Sequence, residues 1–143
     1  MFAGNKFFLL FMIATTLVLS ACQSISASGV GEEVSIEGGS YRVVSVQELQ
    51  GMLENKDFTM INVHTPWQGD IPQTDSRLAY DQISENQDQL PVEKDAKILV
   101  YCLTSGMAKK AVESLVDLGY TNIWMLDGGT TAWEEAGLTL KKE

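Results

Sequence analysis

The chain has 143 residues, which is enough for one domain of ordinary size and leaves little room for a second. It carries 10 Lys and Arg against 19 Asp and Glu, and the formal charge of −9 argues against nucleic acids and anionic membrane surfaces as electrostatic partners. Two cysteines are too few for a disulfide-stapled scaffold or a Cys-rich metal site, and one histidine excludes a multi-histidine metal centre within a single chain. The composition therefore predicts an acidic domain without a structural metal.

The first residues predict an export signal. Lys6 supplies one positive charge, and Phe7 to Leu19 form an apolar run that is too short to cross a hydrocarbon core of about 30 Å. The sequence Leu19-Ser20-Ala21-Cys22 resembles the bacterial lipobox, which implies lipidation of the cysteine and cleavage just before it. The mature protein would then begin at Cys22 and be held at a membrane by acyl chains. An ordinary cleaved signal with a chance cysteine and an uncleaved anchor helix are the alternatives.

Cleavage before Cys22 changes the properties of the remaining chain. It removes Lys6 and none of the 19 acidic residues, which leaves a formal charge of −10, and Cys102 becomes the one free thiol. Gln23 follows the lipidated cysteine where an Asp would favour inner-membrane retention. We therefore expect a cell-envelope lipoprotein that faces the periplasm, attached to the outer membrane if the organism has two membranes.

Residues 22–39 are predicted to be a flexible tether. The stretch QSISASGVGEEVSIEGG is rich in Ser, Gly and Glu and contains no aromatic residue. Its acids would be repelled by an anionic surface, which suits a spacer better than a docking segment. The predicted organisation is a signal peptide over 1–21, a lipid-anchored tether over 22–39 and one domain over 40–143.

The domain alternates between strands and helices. The predicted strands are 41–44, 58–63, 97–102 and 122–126, and the predicted helices are 45–55, 80–90, 105–118 and 130–136. Ser45 and Glu48 fit a capping box at the start of the first helix, and Gly119 ends the third. The run KILVYC is typical of a central parallel strand that is buried on both faces. The alternation predicts an α/β fold with a central parallel sheet and helices on both faces.

Cys102 is the strongest candidate for a functional residue. It ends the most buried strand and is followed by a short loop that leads into a helix. In such folds, reactive groups collect where strands end and helices begin. Backbone N–H groups and the positive end of a helix dipole would stabilise a thiolate, a negatively charged terminal sulfur or a bound anion there. The alternative is a small buried apolar residue, but a strand-end cysteine before a small polar loop is poorly placed to fill a core.

Four segments resemble the rhodanese-homology domain family. Val100-Tyr101-Cys102, with the Ser105-Gly106 loop and a helix, is similar to the family's active-site segment. FTMINVHTP, residues 58–66, is similar to the signature that usually ends in IDVR, and GDIP, residues 69–72, matches the GHIP segment. LDGGTTAW through Gly137 matches the closing GG…W…AG segment. The resemblance covers about residues 41–138 and implies a rhodanese-like α/β fold.

The resemblance implies a sulfur relay. The Cys102 thiolate would attack a sulfane-sulfur donor, become a persulfide, and pass that sulfur to a thiol or another nucleophile. The residues implied to hold the substrate and the persulfide are those of the loop, namely Leu103, Thr104, Ser105, Gly106 and Met107. No metal or organic cofactor is required. The expected partner is a small sulfane-sulfur donor or a persulfidated protein, and a monomer is favoured.

This loop departs from the family pattern in its charge. Many active members carry an Arg five residues after the cysteine, whereas position 107 is Met here and the residues before it are uncharged. We therefore expect weak turnover of thiosulfate, and a non-catalytic rhodanese-like module that binds a partner or stores sulfur remains the alternative. Ala108 stands where a phosphatase needs the Arg of its Cys-x5-Arg loop. A thiol redox protein would need a second mature thiol.

Three further residues are candidates for the walls of a pocket. His64 follows a strand end, and it is a candidate proton shuttle or ligand, with a hydrogen-bonded loop residue as the alternative. Trp67 lies in the following loop, where a large apolar side chain is a candidate for the pocket mouth. Gly128, with its neighbour Gly129, would allow close backbone approach near the cysteine loop.

Overall fold

The computed structural model describes residues 29–143, and the predicted signal peptide, Cys22 and the first part of the tether lie outside the described residues. The strands are β1 (Glu32–Ile36), β2 (Gly39–Val44), β3 (Thr59–Asn62), β4 (Ser76–Arg77), β5 (Ile98–Tyr101) and β6 (Ile123–Leu126). The α-helices are α1 (Val46–Glu54), α2 (Gly106–Asp117) and α3 (Gly129–Glu135), and a 3₁₀ helix covers Gln87–Gln89. No helix among residues 29–143 is long and apolar enough to span a bilayer.

The six strands form one mixed sheet in the order β1-β2-β6-β5-β3-β4. Five of them, β2, β6, β5, β3 and β4, run parallel to one another. The sixth, β1, pairs antiparallel with β2. Their carboxyl ends therefore share one edge of the sheet. The predicted α/β fold is confirmed, with the addition of the antiparallel strand.

Two apolar clusters lie on the two faces of the sheet. The cluster on one face contains the buried side of α2 and is called the α2-side cluster. Its residues from α2 are those that the sequence pattern predicts, namely Ala108, Ala111, Val112, Leu115 and Val116. On the other face, Leu49 of α1 and Trp133 of α3 belong to the second cluster. The side chains of β5 alternate between the two, since Val100 belongs to the first cluster and Leu99 to the second. This central strand is buried on both faces, as its continuous apolar run predicts.

The predicted capping box of α1 is present. The Glu48 N–H donates to the Ser45 hydroxyl at 3.3 Å, and the Ser45 N–H donates to the Glu48 carboxylate at 2.8 Å. The other oxygen of this carboxylate accepts the Gly31 N–H at 3.0 Å. These hydrogen bonds, led by the one from the Ser45 backbone, lower the pKa of Glu48. The cap thus joins the start of α1 to the first described residues.

The prediction of a flexible tether through Gly39 is wrong over β1. Glu32 lies opposite Val43, and Ile36 lies opposite Gly39, in a continuous antiparallel ladder. Val34 and Ile36 are partly buried against the α2-side cluster. The two apolar side chains alternate with acids and a serine, so this edge strand resembles a spacer in composition while its backbone is paired.

The prediction of a helix over 80–90 is also wrong. This segment consists of turns and the short 3₁₀ helix. The Leu78 N–H donates to the Asn62 carbonyl at 3.0 Å and the Tyr80 N–H to the Val63 carbonyl at 3.1 Å, so the chain continues beside β3 where a first helical turn was expected. Ile83 and Leu90 are nevertheless buried against the α2-side cluster. The spacing of these two residues suits a helix, but turns place them in the core equally well.

Candidate active site

Cys102 lies directly after β5, at the carboxyl edge of the sheet, and is 1% exposed. It is the one cysteine among the described residues, and it is free. It belongs to the apolar cluster that also contains Val63, Val100 and Ala108. The thiol therefore occupies a core position, which differs from the expectation that a strand-end cysteine does not fill the core.

The carbonyl groups of the cysteine loop are bound to the start of α3. The Thr130 N–H donates to the Cys102 carbonyl and the Thr131 N–H to the Leu103 carbonyl, each at 2.9 Å. These N–H groups belong to the first turn of α3, where a helix has no partners of its own. The same bonds thus complete the helix end and fix the backbone beside the thiol.

Gly129 makes this close approach possible. Its φ is +56°, and a Cβ placed on it would lie 2.5 Å from the Thr104 carbonyl oxygen and would overlap the Cys102 carbonyl. Gly128 precedes α3 with a φ of +71°, and a Cβ there would lie 2.6 Å from the Ala132 Cβ. Close backbone approach near the cysteine loop was predicted for this pair, and the structure confirms it for Gly129, whereas a Cβ on Gly128 would meet α3 itself.

Ser105 joins the cysteine loop to the turn between β6 and α3. Its hydroxyl accepts the Gly128 N–H at 3.0 Å and donates to the Asp127 carboxylate at 3.0 Å. Sequence reasoning did not single out Asp127, although its position before two glycines at a strand end was a usable signal. The loop is therefore held by four hydrogen bonds with α3 and the preceding turn, and none of them involves a charged side chain of the loop.

The N–H groups of the loop have a different environment from its carbonyls. Within residues 29–143, the N–H groups from Leu103 to Met107 donate to no protein acceptor. They lead into the N-terminus of α2, where unpaired N–H groups favour negative charge. Met107 is half-buried and packs against the α2-side cluster, whereas Lys109 and Lys110 are exposed. Any negative charge at the loop therefore meets backbone amides first.

His64 lies at the same edge of the sheet as Cys102. The Val63 N–H donates to the Tyr101 carbonyl at 2.8 Å, which continues the β3–β5 pairing by one residue, and the His64 N–H donates to the Asn62 side-chain oxygen at 3.0 Å. Both ring nitrogens are buried and have no hydrogen-bond partner among the described residues. Burial lowers the pKa of His64, so the ring is neutral at pH 7. The ring is thus not the hydrogen-bonded loop residue that was the simpler interpretation.

Trp67 belongs to a cluster around Asp70. The Asp70 carboxylate accepts hydrogen bonds from Asn62 Nδ2 at 2.9 Å, Trp67 Nε1 at 3.0 Å and Arg77 Nε at 2.7 Å. The Arg77 guanidinium lies 3.8 Å above the Trp67 ring, which is 36% exposed. Burial alone would raise the pKa of Asp70, but these bonds outweigh it and hold the pKa below its ordinary value. The indole is therefore committed to this cluster.

The same loop is also bound to β5. The Tyr101 hydroxyl accepts the Ile71 N–H at 3.0 Å and lies 2.7 Å from the Thr74 hydroxyl. Burial raises the pKa of Tyr101 to about 12. Tyr101 immediately precedes Cys102, so the strand that positions the thiol also anchors the loop after β3.

Comparison with known proteins identifies the family. Residues 45–136 match the model of the rhodanese-like domain. The thiosulfate sulfurtransferase GlpE of Vibrio cholerae is 24% identical over 98 residues, which are 68% of this chain and 92% of the relative. A sulfurtransferase of Allochromatium vinosum is 28% identical over 94 residues, covering 64% and 85%.

A solved structure supports the fold independently. The crystal structure of a rhodanese-related protein from Thermoplasma volcanium superposes with a TM-score of 0.61 at 27% identity, covering 72% of this chain and 100% of that one. The predicted rhodanese-like α/β fold is thereby confirmed. The family model covers the cysteine loop, the loop after β3 and α3, and so includes every described candidate site residue. The chain belongs to the rhodanese-like domain family.

Proposed function

We propose that the protein is a sulfurtransferase that carries sulfane sulfur as a persulfide on Cys102 and passes it to a thiol or another nucleophile. One observation carries the proposal. Cys102 follows the central strand and opens a loop whose carbonyls are bound to α3 and whose N–H groups donate to no acceptor within residues 29–143. Such an arrangement stabilises negative charge on a thiolate or on a terminal sulfur. The sulfurtransferase names of the relatives from Vibrio cholerae and Allochromatium vinosum support the reaction class.

The reaction consists of two displacements on sulfur. The Cys102 thiolate attacks the sulfane sulfur of the donor, a bond forms between Sγ and that sulfur, and the electron pair of the broken bond leaves with the rest of the donor. An acceptor thiolate then attacks the terminal sulfur of the persulfide. The electron pair of the broken bond returns to Sγ and regenerates the Cys102 thiolate. The donor supplies sulfur at the required oxidation state, so no other oxidant or reductant takes part.

Burial of the thiol bears on the choice of donor. Cys102 is 1% exposed, and the adjacent Thr104 and Gly106 are exposed, so a donor reaches the sulfur past this loop. The loop carries no cationic side chain, and the protein as a whole is acidic. Anionic thiosulfate is therefore a poor match, and a small persulfide or a persulfidated protein is the donor we favour.

The burial of Cys102 also favours one alternative function. A thiol held inside an apolar cluster is suited to keeping a persulfide away from water and from other thiols. The alternative is a non-catalytic rhodanese-like module that stores sulfane sulfur or binds a partner at the cell envelope. The two functions differ in the second step, since a store loads sulfur and releases it slowly, whereas a transferase passes it on in every cycle.

The persulfide is tested by intact mass spectrometry. A soluble form that begins at Gly29 keeps β1 and has Cys102 as its one thiol. Incubation with a small persulfide is expected to add about 32 Da, the mass of one sulfur atom, in a form that cyanide or excess thiol removes. Cys102→Ser is the control and should gain nothing. If no donor produces the adduct, the transferase proposal is rejected; if the adduct forms but no acceptor thiol removes it, the storage module is correct.

We also propose that the mature chain is a lipoprotein anchored through Cys22 and facing the periplasm, in the outer membrane if there are two membranes. The lipobox-like sequence before Cys22 and the absence of an Asp at position 23 support this location. The proposal predicts that Cys22→Ala moves the protein from the membrane fraction to the soluble fraction. Unchanged partitioning would show that the apolar run itself is the anchor.

A further inference from the structure

The point at which the chain joins the domain is fixed in the structure. Arg42 Nη1 donates to the Val30 carbonyl at 3.2 Å and to the Gly31 carbonyl at 3.3 Å. The Gly31 N–H donates to the Glu48 carboxylate. A Cβ on Gly31 would lie 3.1 Å from the Val43 carbonyl oxygen, so this glycine sits directly on β2. The domain therefore holds the incoming chain from residue 30 onward.

This fixed point lies at the same edge of the sheet as Cys102. β1 runs antiparallel to β2 and begins with Glu32 opposite Val43, so β1 begins where β2 ends. Because β2, β6 and β5 are parallel, their carboxyl ends lie at this same edge, and Cys102 follows the last of them.

One cavity and one hydrogen bond lie between the two positions along that edge. Glu32, Ser45, Glu48 and Asp127 line one cavity of about 510 Å³. Asp127 in turn accepts the hydrogen bond from Ser105 of the cysteine loop at 3.0 Å. One open cavity and one hydrogen bond thus separate the start of β1 from the loop that follows Cys102.

The chain between Cys22 and this fixed point is short. Nine residues lead from Cys22 to Gly31, and even a fully extended chain of that length spans no more than about 30 Å. A domain of this size has a radius of gyration of about 13 Å, so the maximum reach does not exceed the diameter of the domain. The opposite edge of the sheet lies about 20 Å further away, because β2 is six residues long.

We propose that the Cys102 edge faces the membrane that holds Cys22, and that the sulfur partner of Cys102 is a thiol or persulfide on a protein held at that same membrane. This proposal rests on the lipid anchor and the sulfur transfer proposed above. The charge of the edge favours a protein over the lipid headgroups as the partner. Glu32, Glu48 and Asp127 repel anionic headgroups and favour a protein that has basic side chains around its thiol. The domain then stands off the bilayer and leaves room for such a partner between them.

Orientation is measured by energy transfer from the protein to the bilayer. The full lipidated chain carrying Cys102→Ser is placed in vesicles of neutral phosphatidylcholine that contain an acceptor-labelled lipid. One variant carries the donor dye at Thr104→Cys on the cysteine loop, and the matched variant carries it at Asp95→Cys, which is exposed in the turn before β5 at the opposite edge. We expect clearly greater transfer from position 104.

Two results would overturn the orientation. Equal transfer from both positions, or greater transfer from position 95, would show that the cysteine edge does not face the bilayer. Failure of the lipidated chain to float with the vesicles would remove the anchor and the orientation with it. Neither result affects the persulfide test on the soluble form, so failure of the orientation and failure of sulfur transfer are distinguishable.

The partner is tested by lengthening the tether. Insertion of 20 Gly and Ser residues after Ser28, in a chain with Cys102 intact and loaded as the persulfide, lowers the effective concentration of the loop at the membrane surface. Sulfur transfer to a thiol-headgroup lipid in the vesicle, which stands in for a membrane-held protein thiol, should fall about fivefold, while transfer to soluble dithiothreitol should not change. An unchanged rate toward the vesicle-held thiol, or an equal fall in both rates, overturns the membrane-held partner.

Discussion

The loops after β3 and β5 lie side by side at one edge of the sheet and are held in place by different means. The loop after β3 is fixed by side chains, since the Asp70 carboxylate alone accepts from Asn62, Trp67 and Arg77. The loop after β5 is fixed by its backbone carbonyls, which accept from the first turn of α3, and by the uncharged Ser105 hydroxyl. Charged side chains hold the first loop in place, whereas the loop that carries the reactive sulfur has no charged side chain.

This difference has a chemical consequence. A cation on the cysteine loop would attract anionic donors, whereas backbone amides stabilise negative charge on the bound sulfur without selecting a charged donor. One cation near this edge, Arg77, is paired with Asp70 and stacked on Trp67.

The largest effect is expected where a side chain would separate the cysteine loop from α3. In Gly129→Ala the new Cβ would meet the carbonyl oxygens of Cys102 and Thr104 at a φ of +56°. We expect a loss of at least about 3 kcal/mol in the free energy of unfolding, since backbone must move to relieve the overlap. Urea unfolding of both proteins measures this loss of stability. Gly51→Ala is the control and should be neutral or slightly stabilising, because a Cβ added there would meet no atom outside its own helix within 4 Å in the described part of the chain. Equal stabilities would show that the loop is not held against α3.

The second prediction concerns the loop that is held by side chains. Arg77→Ala leaves the buried Asp70 carboxylate without its cation, and we expect a loss of about 1.5 to 3 kcal/mol in stability. Asp57→Ala removes a partner that is 72% exposed from the Lys97 pair and should cost less than about 1 kcal/mol. The folded pKa of Asp70 lies below its ordinary 3.8. The stabilisation from the ionised Asp70 carboxylate is therefore present above that pH and is lost as the pH falls through the folded pKa. Arg77→Ala should therefore also weaken the acid dependence below pH 4, which chemical denaturation at several pH values would show.

The third prediction uses the one histidine of the chain. The folded pKa of His64 is lowered from 6.5 by burial, so the unfolded state binds the proton more readily. The contribution of neutral His64 to the free energy of unfolding should be fully present above about pH 6.5. It should fall as the pH drops from there through the folded pKa. His64→Gln should remove the dependence between pH 7 and pH 5 and leave the carboxylate-dependent loss below pH 4. Persistence of the loss between pH 7 and pH 5 in the variant would rule out His64 as its source.

The smallest effect is expected from adding the charge that the cysteine loop lacks. In Met107→Arg, a cation beside the loop should lower the KM for thiosulfate about threefold to tenfold, with a smaller change in kcat. Steady-state kinetics with thiosulfate provide the measurement, and Met107→Leu keeps the apolar volume as the control. An unchanged KM would mean that the amides already satisfy the anion or that the new side chain points away.

The sequence predicts the parallel core of this fold well because the physical signals there are local. The continuous apolar run of β5, the five inner residues of α2 and the Ser45–Glu48 cap each follow from residues that are adjacent along the chain. The approach of α3 to the cysteine loop was also predictable, since two consecutive glycines after a strand indicate close backbone packing.

The parts that sequence analysis missed have no distinctive residue pattern, although their partners are near in the chain. β1 contains only two apolar side chains, and its identity as a strand comes from pairing with β2. The partners of Asp70 lie three, seven and eight positions away from it, in a segment without a regular helical or strand pattern. Asn62 stands where the IDVR signature has Asp, and the structure gives the reason, because an Asp at that position would place a second carboxylate against Asp70.

β1 also affects how the protein behaves among its own copies. As an outer strand of the sheet, it exposes unpaired backbone groups, and the side chains of Glu32 and Glu33 are exposed along it. The other outer strand, β4, is only two residues long. Charged or very short outer strands disfavour strand pairing between molecules, the first step of many aggregates. For a protein concentrated on a membrane surface, as proposed for this one, such edges would keep neighbouring copies soluble and separate.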